Sequence, residues 1–215
     1  MANWVVFLTA SNVDAKALTR AFLGMHDFEF NEYPPSWGFV LLPSKTIPSA
    51  KPPPTPLPIT NLQASEYENL SLTEINAFVR SHEQALAAAG FSHEQWVVLD
   101  QAGLESGTCV VFDHWLRDED DEDEDDDEDD EDGDEGAGGG NNNRFRACRV
   151  PWKQAHSMLS NLDIANMDFE DFVDEDAGAE ADGTWKFTMD DEESPEVAEK
   201  RKKVEDELRA GGYIE

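Results

Sequence analysis

Cysteine is scarce in this sequence, which has only Cys109 and Cys148 among its 215 residues. Two cysteines are too few for a disulfide-rich secreted domain, and a chain of this length can bury a core without such bridges. Long apolar runs are also absent, because stretches such as WVVFL fall far short of the roughly 20 residues of a membrane-spanning helix. The first residues lack the basic region of a secretory signal. We therefore expect reduced thiols, a cytoplasmic or nuclear location and no membrane partner.

Basic residues are few as well, since 16 Lys and Arg stand against 48 Asp and Glu, for a formal net charge of -32. This balance argues against nucleic acid or an anionic membrane as the main partner. The charge is concentrated in residues 118–135, which read DEDDEDEDDDEDDEDGDE, so that every position except Gly133 is acidic. The following GAGGGNNN has nothing to bury. Residues 118–143 are therefore predicted to form a disordered insertion.

The acidic run admits two interpretations. Many carboxylates on one segment attract polycations diffusely, so the run could bind basic proteins; alternatively, it is a solvated insertion that only aids solubility. It does not fit a calcium-binding EF-hand loop, because placing Gly133 at the sixth position puts Gly139 where a bidentate Glu is needed.

Motifs for common chemistry are missing. The sequence contains no HExxH, CxxC, GxSxG, GxGxxG between strand and helix, or phosphate-binding P-loop. The five histidines show no metal-ligand spacing: His26, His82, His93, His114 and His156. We expect no cofactor and no metal, and we expect the protein not to be an enzyme.

The first half of the chain alternates apolar runs with helical patterns. Residues 4–9 predict a buried strand, and a helix over 14–23 follows, capped by Ser11 or Asn12 and stopped by Gly24. Residues 37–42 are flanked by prolines and suit an edge strand. The S-L-T-E capping box at 71–74 starts a helix that should run to Gly90.

The second half predicts strands that pair with their neighbours. Residues 96–100 and 108–115 read as adjacent antiparallel strands joined by a turn at 102–107, and residues 144–150 as a strand that returns after the insertion. Helical patterns and one short strand follow at 151–161, 169–174, 183–188 and 194–211. The fold class is α/β (α+β), a single domain with a mixed, largely antiparallel sheet and flanking helices.

Compositional changes divide the chain into segments. Residues 43–65 are rich in proline and predict an extended linker, which could be a plain spacer or a ligand for an SH3 or WW domain. The last residues predict a charged helix whose KRKK is either a nuclear import patch or part of a salt-bridged surface, with Glu196 facing Lys200. The domain is thus predicted in three parts with a linker, an insertion and a tail helix: 1–42, 43–65, 66–117, 118–143, 144–190 and 191–215.

The two cysteines lie on strands predicted to pair. If residues 108–113 pair antiparallel with 144–149 so that Asp113 faces Arg144, then Cys109 faces Cys148. The cysteines are then either a redox-sensitive pair or two small buried apolar residues in a reducing compartment.

Residues 161–169 read NLDIANMDF and are followed by an acidic and aromatic pair and by Asp182 and Gly183. Together with the strands before them, they resemble an uncharacterised bacterial and fungal family of unknown function that carries an NLSIANMDF-like motif. The resemblance covers about 60 residues after the insertion and implies no activity. The chain departs from that family at 185–187, where the family tends to carry an aromatic residue followed by Arg.

Four polar residues of this motif region are candidate ligand-binding residues: Asn161, Asn166, Asp168 and Asp171. They could line a pocket and place a general base, or they could bond backbone groups at turns. Two functions follow. The first is a non-enzymatic interaction module whose acidic loop attracts basic partners; the alternative is a small-ligand-binding domain or enzyme that uses the region of Asn166 and Asp168.

Overall fold

The computed structural model describes residues 3–29, 38–114, 145–189 and 193–215. Its centre is a six-stranded sheet in the order β2-β1-β3-β4-β5-β6. The strands are β1 Trp4–Leu8, β2 Phe39–Leu41, β3 Gln95–Leu99, β4 Thr108–His114, β5 Phe145–Pro151 and β6 Trp185–Lys186. The helices are α1 Ala15–Met25, α2 Leu72–Ser81, α3 Glu83–Ala88, α4 Gln101–Ser106, α5 Trp152–Asp163 and α6 Pro195–Ala210, with a 3-10 turn at Phe169–Phe172.

The sheet is mixed, as predicted. β4 is antiparallel to both β3 and β5 and forms the longest pairings, whereas β1 is parallel to β2 and β3, and β5 is parallel to β6. The most apolar runs became the internal strands β1 and β3, because a strand covered on both faces has no polar side to alternate. The proline-flanked β2 lies at the edge, which confirms its predicted place.

Helices cover both faces of the sheet. In β1, Trp4, Val6 and Leu8 pack with α1 and α5, whereas Val5 and Phe7 pack with α2 and α3 on the opposite face. This alternation is the two-residue period of a strand. Each large apolar side chain buried in this way contributes roughly 1.5–3 kcal/mol to stability. The two clusters make one three-layered domain.

The helix boundaries correct two predictions. The N-cap of α1 is Asp14, whose carboxylate accepts from the Ala17 N–H at 2.7 Å, in place of Ser11 or Asn12. Gly24 lies inside α1 and does not end it. A Cβ at this position would lie 2.9 Å from Cβ of Trp152, so glycine is needed here for the close approach of α1 and α5.

Residues 101–106 form helix α4, and the predicted turn is wrong. The carboxylate of Asp100 caps this helix by accepting from the Gly103 N–H at 2.7 Å, a signal for a helix start that sequence reading assigned to a strand end. The capping box of Ser71 and Glu74 is confirmed, but the helix that it starts breaks at His82 into α2 and α3.

The proline-rich segment 43–65 contains no helix or strand but packs against the domain, so it is not a detached spacer. The Thr55 N–H donates to the Phe39 carbonyl at 2.9 Å, and the Ile59 N–H donates to the Thr19 hydroxyl at 3.1 Å. Ile59 is buried in the cluster beneath α1. Prolines remove backbone donors from the segment, and the N–H groups of Thr55 and Ile59 are among the remaining donors that bond to the domain.

The insertion joins two paired strands. His114 at the end of β4 pairs with Phe145 at the start of β5, so residues 115–144 leave and return at neighbouring positions. The predicted disorder of 118–143 concerns residues outside the described ranges. The described register differs from the predicted one by two residues: Cys109 faces Val150 and Cys148 faces Val111. The cysteines are therefore not opposite each other, and both are buried free thiols whose pKa burial raises.

Helix α6 packs on the domain through a thin apolar stripe. Leu208 is buried against Leu23 and Phe28, and Val197 and Val204 lie beside them half-buried. The predicted ion pair of Glu196 and Lys200 forms at 3.6 Å. No helix among the described residues is long and apolar enough to span a membrane.

Candidate functional site

One end of the sheet gathers the features that sequence analysis singled out. The register places Gln95 at the start of β3 opposite Asp113, and Asp113 opposite Arg146 at the start of β5. β1 is parallel to β3, so Trp4 begins at this same end. We call it the insertion end, because residues 115–144 connect β4 and β5 there. α1 and α5 follow β1 and β5 and run back across the sheet, so their last residues also lie at this end.

A cavity of about 520 Å³ opens at the insertion end, between the end of α1 and the start of α6, and extends along α5 from Ile164 back to Lys153. This volume falls in the range of about 300–1,000 Å³ that is typical of ligand pockets. Its wall combines aromatic, aliphatic and polar side chains, among them Trp4, His26, Phe28, His156, Ile164 and Arg201.

Two buried histidines line the cavity. His26 ends α1, and His156 lies on α5 with its ring edge-on to Trp4, at 5.3 Å between ring centres. Burial lowers the pKa of each to about 4; for His26 the nearby Arg201 adds to this effect, while Asp27 opposes it for both. Both imidazoles are therefore neutral at pH 7 and can donate one hydrogen bond and accept another.

His156 also faces a hydroxyl. The Ser160 Oγ lies 3.3 Å from the His156 Nδ1, one turn further along α5. Because the imidazole is neutral, this pair adds polar groups but no charge to the cavity wall. Among the described residues, no three His, Cys, Asp or Glu side chains are grouped so that they could hold a metal ion.

Arg201 connects α6 to the end of α1. Its guanidinium donates to the Leu23 and Gly24 carbonyls, both at 2.9 Å, and to the Glu193 carboxylate at 2.8 Å. It also lies 4.9 Å from the ring centre of Phe28. A cation at the last carbonyls of a helix is favoured by the helix dipole. This residue fixes the start of α6 as one wall of the cavity.

Asn161 is the predicted site residue that borders the cavity. Its Nδ2 donates to the Ser157 carbonyl at 2.9 Å, and its Oδ1 accepts from the Asn166 Nδ2 at 2.7 Å. The backbone turns between them at Ala165, which has a left-handed φ of 50°. The two asparagines thus close the turn that ends α5. Asn166 itself is exposed.

Asp168 and Asp171 lie just beyond this turn and are exposed. The Asp168 N–H donates to the Asp171 carboxylate at 2.9 Å, which starts the 3-10 turn. Neither residue is among those that line the cavity. The structure therefore brings Asn161 and Asn166 together, and Asp168 with Asp171, but only the first of the four reaches the cavity.

The 3-10 turn is fastened to the sheet beside the insertion. Arg146 on β5 donates to the Asp113 carboxylate at 2.7 Å and forms an ion pair with Glu170. The same guanidinium lies 4.7 Å from the ring centre of Phe169, which is buried in the core. The 3-10 turn is thus held at the insertion end by Arg146 of β5, which in turn pairs with Asp113 of β4.

Sequence reasoning missed His26, His156 and Arg201. The histidines have no recognisable spacing, and Arg201 lies within the KRKK that was interpreted as a surface patch. Their positions in the chain could have indicated that they meet. His26 follows the first predicted helix, and the helix after RFRACRVPW, which carries His156, must return to the same end of the sheet. Their meeting depends on strand order, which the sequence left open.

Comparisons with known proteins give one result. Neither the curated proteins nor the solved structures include a match to this chain. A model of a family described as a domain of unknown function (DUF6924) matches residues 50–187. This match covers α2 to β6, including the insertion, the Arg146 ion pairs and the turn of Asn161 and Asn166. The resemblance to a family of unknown function is confirmed, and the chain belongs to the DUF6924 family.

Proposed function

We propose that this protein is a non-enzymatic interaction module that binds basic protein partners through its acidic insertion. One observation carries the proposal. A segment with 17 carboxylates in residues 118–135 joins β4 and β5 directly at their paired ends, His114 and Phe145. A concentrated polyanion is thereby attached to a rigid sheet.

The physical basis is long-range attraction. Carboxylates that are close in sequence produce a strongly negative potential, and a protein with clustered Lys and Arg lowers its free energy by approaching it. At physiological ionic strength such attraction extends over a Debye length of about 8 Å, so contacts form mainly with the segment itself. The proposal predicts binding that weakens steeply with salt.

The test compares the wild-type chain with a variant that keeps its length. In this variant every Asp of residues 118–135 is changed to Asn and every Glu to Gln. The binding of fluorescent polylysine and of a purified core histone is measured by anisotropy over a range of salt. The variant is expected to lose at least about tenfold in affinity at low salt, because its attraction for a cation is removed.

A matched control neutralises carboxylates elsewhere. Glu196, Glu199 and Glu207 are exposed on α6, and their change to Gln should leave binding within about twofold of wild type, because they are not part of the concentrated run. Equal affinity of the wild-type and insertion variants for both probes would contradict the proposal. A loss of binding free energy per neutralised carboxylate that is as large in the α6 variant as in the insertion variant would also contradict it, since net charge alone would then explain binding.

The alternative function, ligand binding or catalysis by the region of Asn166 and Asp168, has weaker geometric support. Asn166 uses its side-chain amide to close the turn on Asn161, and Asp168 lies outside the cavity lining. The feature that favours it is the adjoining cavity, which Asn161 borders.

A further inference from the structure

The cavity at the insertion end lies beside an exposed apolar side chain. Ile164 is 63% exposed at the end of α5 and forms part of the cavity lining, together with Phe28 and Val197. Trp4, which is buried, also contributes to the wall. A single exposed isoleucine is ordinary on a protein surface, but here it continues an apolar wall from the cavity to the surface.

Charge around the cavity is unevenly distributed. Glu193 and Arg201 pair with each other at 2.8 Å. Among the exposed charged residues of the lining, two carboxylates, Glu29 and Asp163, stand against one ammonium group, Lys153. An apolar wall with a predominantly acidic rim complements a segment that has one apolar side chain among basic residues.

The cavity and the acidic insertion share one end of the sheet. Trp4 begins β1 at the level where β4 ends and β5 begins, and Arg146 fixes the turn of residues 161–171 there. The two strand ends that the insertion joins, His114 and Phe145, therefore lie at the same end of the sheet as Trp4 of the cavity wall. A second contact made by the same partner is then favoured by its high local concentration.

We propose that the cavity binds an apolar side chain, Phe or Leu, of a basic partner segment whose neighbouring Lys or Arg side chains contact the acidic rim. This inference rests on the proposed function, because it assumes that the partner is a basic protein. The insertion would supply attraction without sequence preference, and the cavity would supply selectivity for the apolar residue. Interfaces commonly derive most of their binding energy from a few side chains that enter such pockets.

The uncharged histidine side chains of the cavity suit an apolar side chain. Because the pKa of His26 and His156 is lowered to about 4, an apolar side chain would meet uncharged imidazoles at pH 7. Ser157, Ser160 and Asn161 add polar groups that can bond the backbone of the bound segment. An anionic ligand is disfavoured by the carboxylates of the rim.

The experiment uses the full chain and two fluorescent peptides. Both are lysine–glycine peptides of equal charge, and one has a central Phe where the other has Ala. At physiological salt the Phe peptide is expected to bind about tenfold more tightly, since burial of a large apolar side chain favours it. Equal affinities for the two peptides would overturn the inference.

Variants then locate the preference. Ser157→Trp fills the cavity and Ile164→Ser removes the exposed apolar side chain, so both should reduce the preference for Phe to about twofold or less. Ala102→Trp introduces the same side chain on the exposed face of α4 at the other end of the sheet, and it should keep the full preference. Thermal unfolding of each variant verifies the fold, and Ile164→Ser decides the question if Ser157→Trp is unstable.

The two proposals fail in different ways. Neutralising the insertion lowers the affinity for both peptides if the proposed function is right, but leaves their ratio unchanged. Filling the cavity changes the ratio and leaves the affinity for the Ala peptide unchanged. If N-acetyl-phenylalanine amide, which is uncharged, displaces the Phe peptide as effectively as an unlabelled copy of that peptide, the cavity is a small-molecule site and the inference is wrong. A preference that survives both cavity variants also overturns it.

Discussion

Both ends of the sheet have an arginine placed between two carboxylates, but the surroundings of the two arginines differ. At the insertion end, Arg146 lies between Asp113 and Glu170; at the opposite end of β5, Arg149 lies between Asp100 and Asp182, with N···O distances of 2.7 and 3.5 Å. Each arginine connects the sheet to a segment outside it. At the far end that segment is the start of α4 and the loop before β6, and at the insertion end it is the 3-10 turn that contains Glu170.

The difference lies in what surrounds each arginine. The far end is closed by α4, whose cap Asp100 also receives two hydrogen bonds from Arg149. The insertion end instead has a cavity with two neutral histidines, an exposed isoleucine and a polyanionic insertion. An ion pair of one kind thus stabilises a closed end in one place and positions a binding surface in the other. Three predictions test this contrast.

The largest effect is expected from acid at the insertion end. The pKa of His26 and His156 is about 4 in the folded protein and about 6.5 in the unfolded chain. The unfolded chain therefore binds protons first, and stability falls as pH decreases from about 6.5 to 4. Each histidine should cost on the order of 2 kcal/mol by pH 5. Asp27 raises the pKa of both histidines, whereas Arg201 and His156 lower that of His26.

Urea unfolding as a function of pH measures this loss. His156→Phe keeps a ring against Trp4 but cannot be protonated, so its stability should depend less on pH than that of the wild type. The comparison is repeated in the protein with a neutralised insertion, because protonation of the acidic run also changes stability with pH. Parallel curves for His156→Phe and its parent in both backgrounds would contradict the prediction.

Substitutions of Arg146 and Arg149 are expected to have smaller effects on stability, and these effects should differ. Arg146→Met leaves the buried Asp113 carboxylate without its charged partner and should cost about 2 kcal/mol, whereas Arg149→Met should cost about 1 kcal/mol because that pair is more exposed. The preference for a Phe over an Ala peptide should fall only in Arg146→Met, because this residue holds the motif turn. An equal preference for the Phe over the Ala peptide in the two variants would contradict the prediction that only Arg146 supports the cavity.

Much of the fold could be predicted from local patterns. The apolar runs around Trp4 and Trp96 indicated buried strands because both faces of the sheet are covered. The capping box at Ser71 fixed a helix start. By contrast, Asp100 was assigned to a strand end, although an Asp before Gln101 is also a helix cap, and the short helix α4 has too few residues for a visible period. Register was missed by two residues because alternation fixes the face of a strand but not its offset.

The site was less predictable than the fold. The asparagines of the motif were singled out because such polar residues are uncommon in an apolar stretch, and their bonds to each other are short-range. The cavity depends on His26, His156 and Arg201, which are separated by most of the chain and meet only through the strand order. Composition alone located the acidic insertion, since no contact is needed to recognise 17 carboxylates in 18 residues.

The smallest effect concerns the closed end alone. Asp100 accepts from the Gly103 N–H and from Arg149, so Asp100→Ala removes a helix cap and an ion pair together. Asp100→Asn removes the charge but keeps an oxygen that can cap α4. The two variants should therefore differ by about 1 kcal/mol in unfolding free energy, which is the usual value of an N-cap. Equal urea midpoints would mean that the cap does not stabilise α4. Both variants should bind the peptides like wild type, because neither Asp100 nor Arg149 lines the cavity.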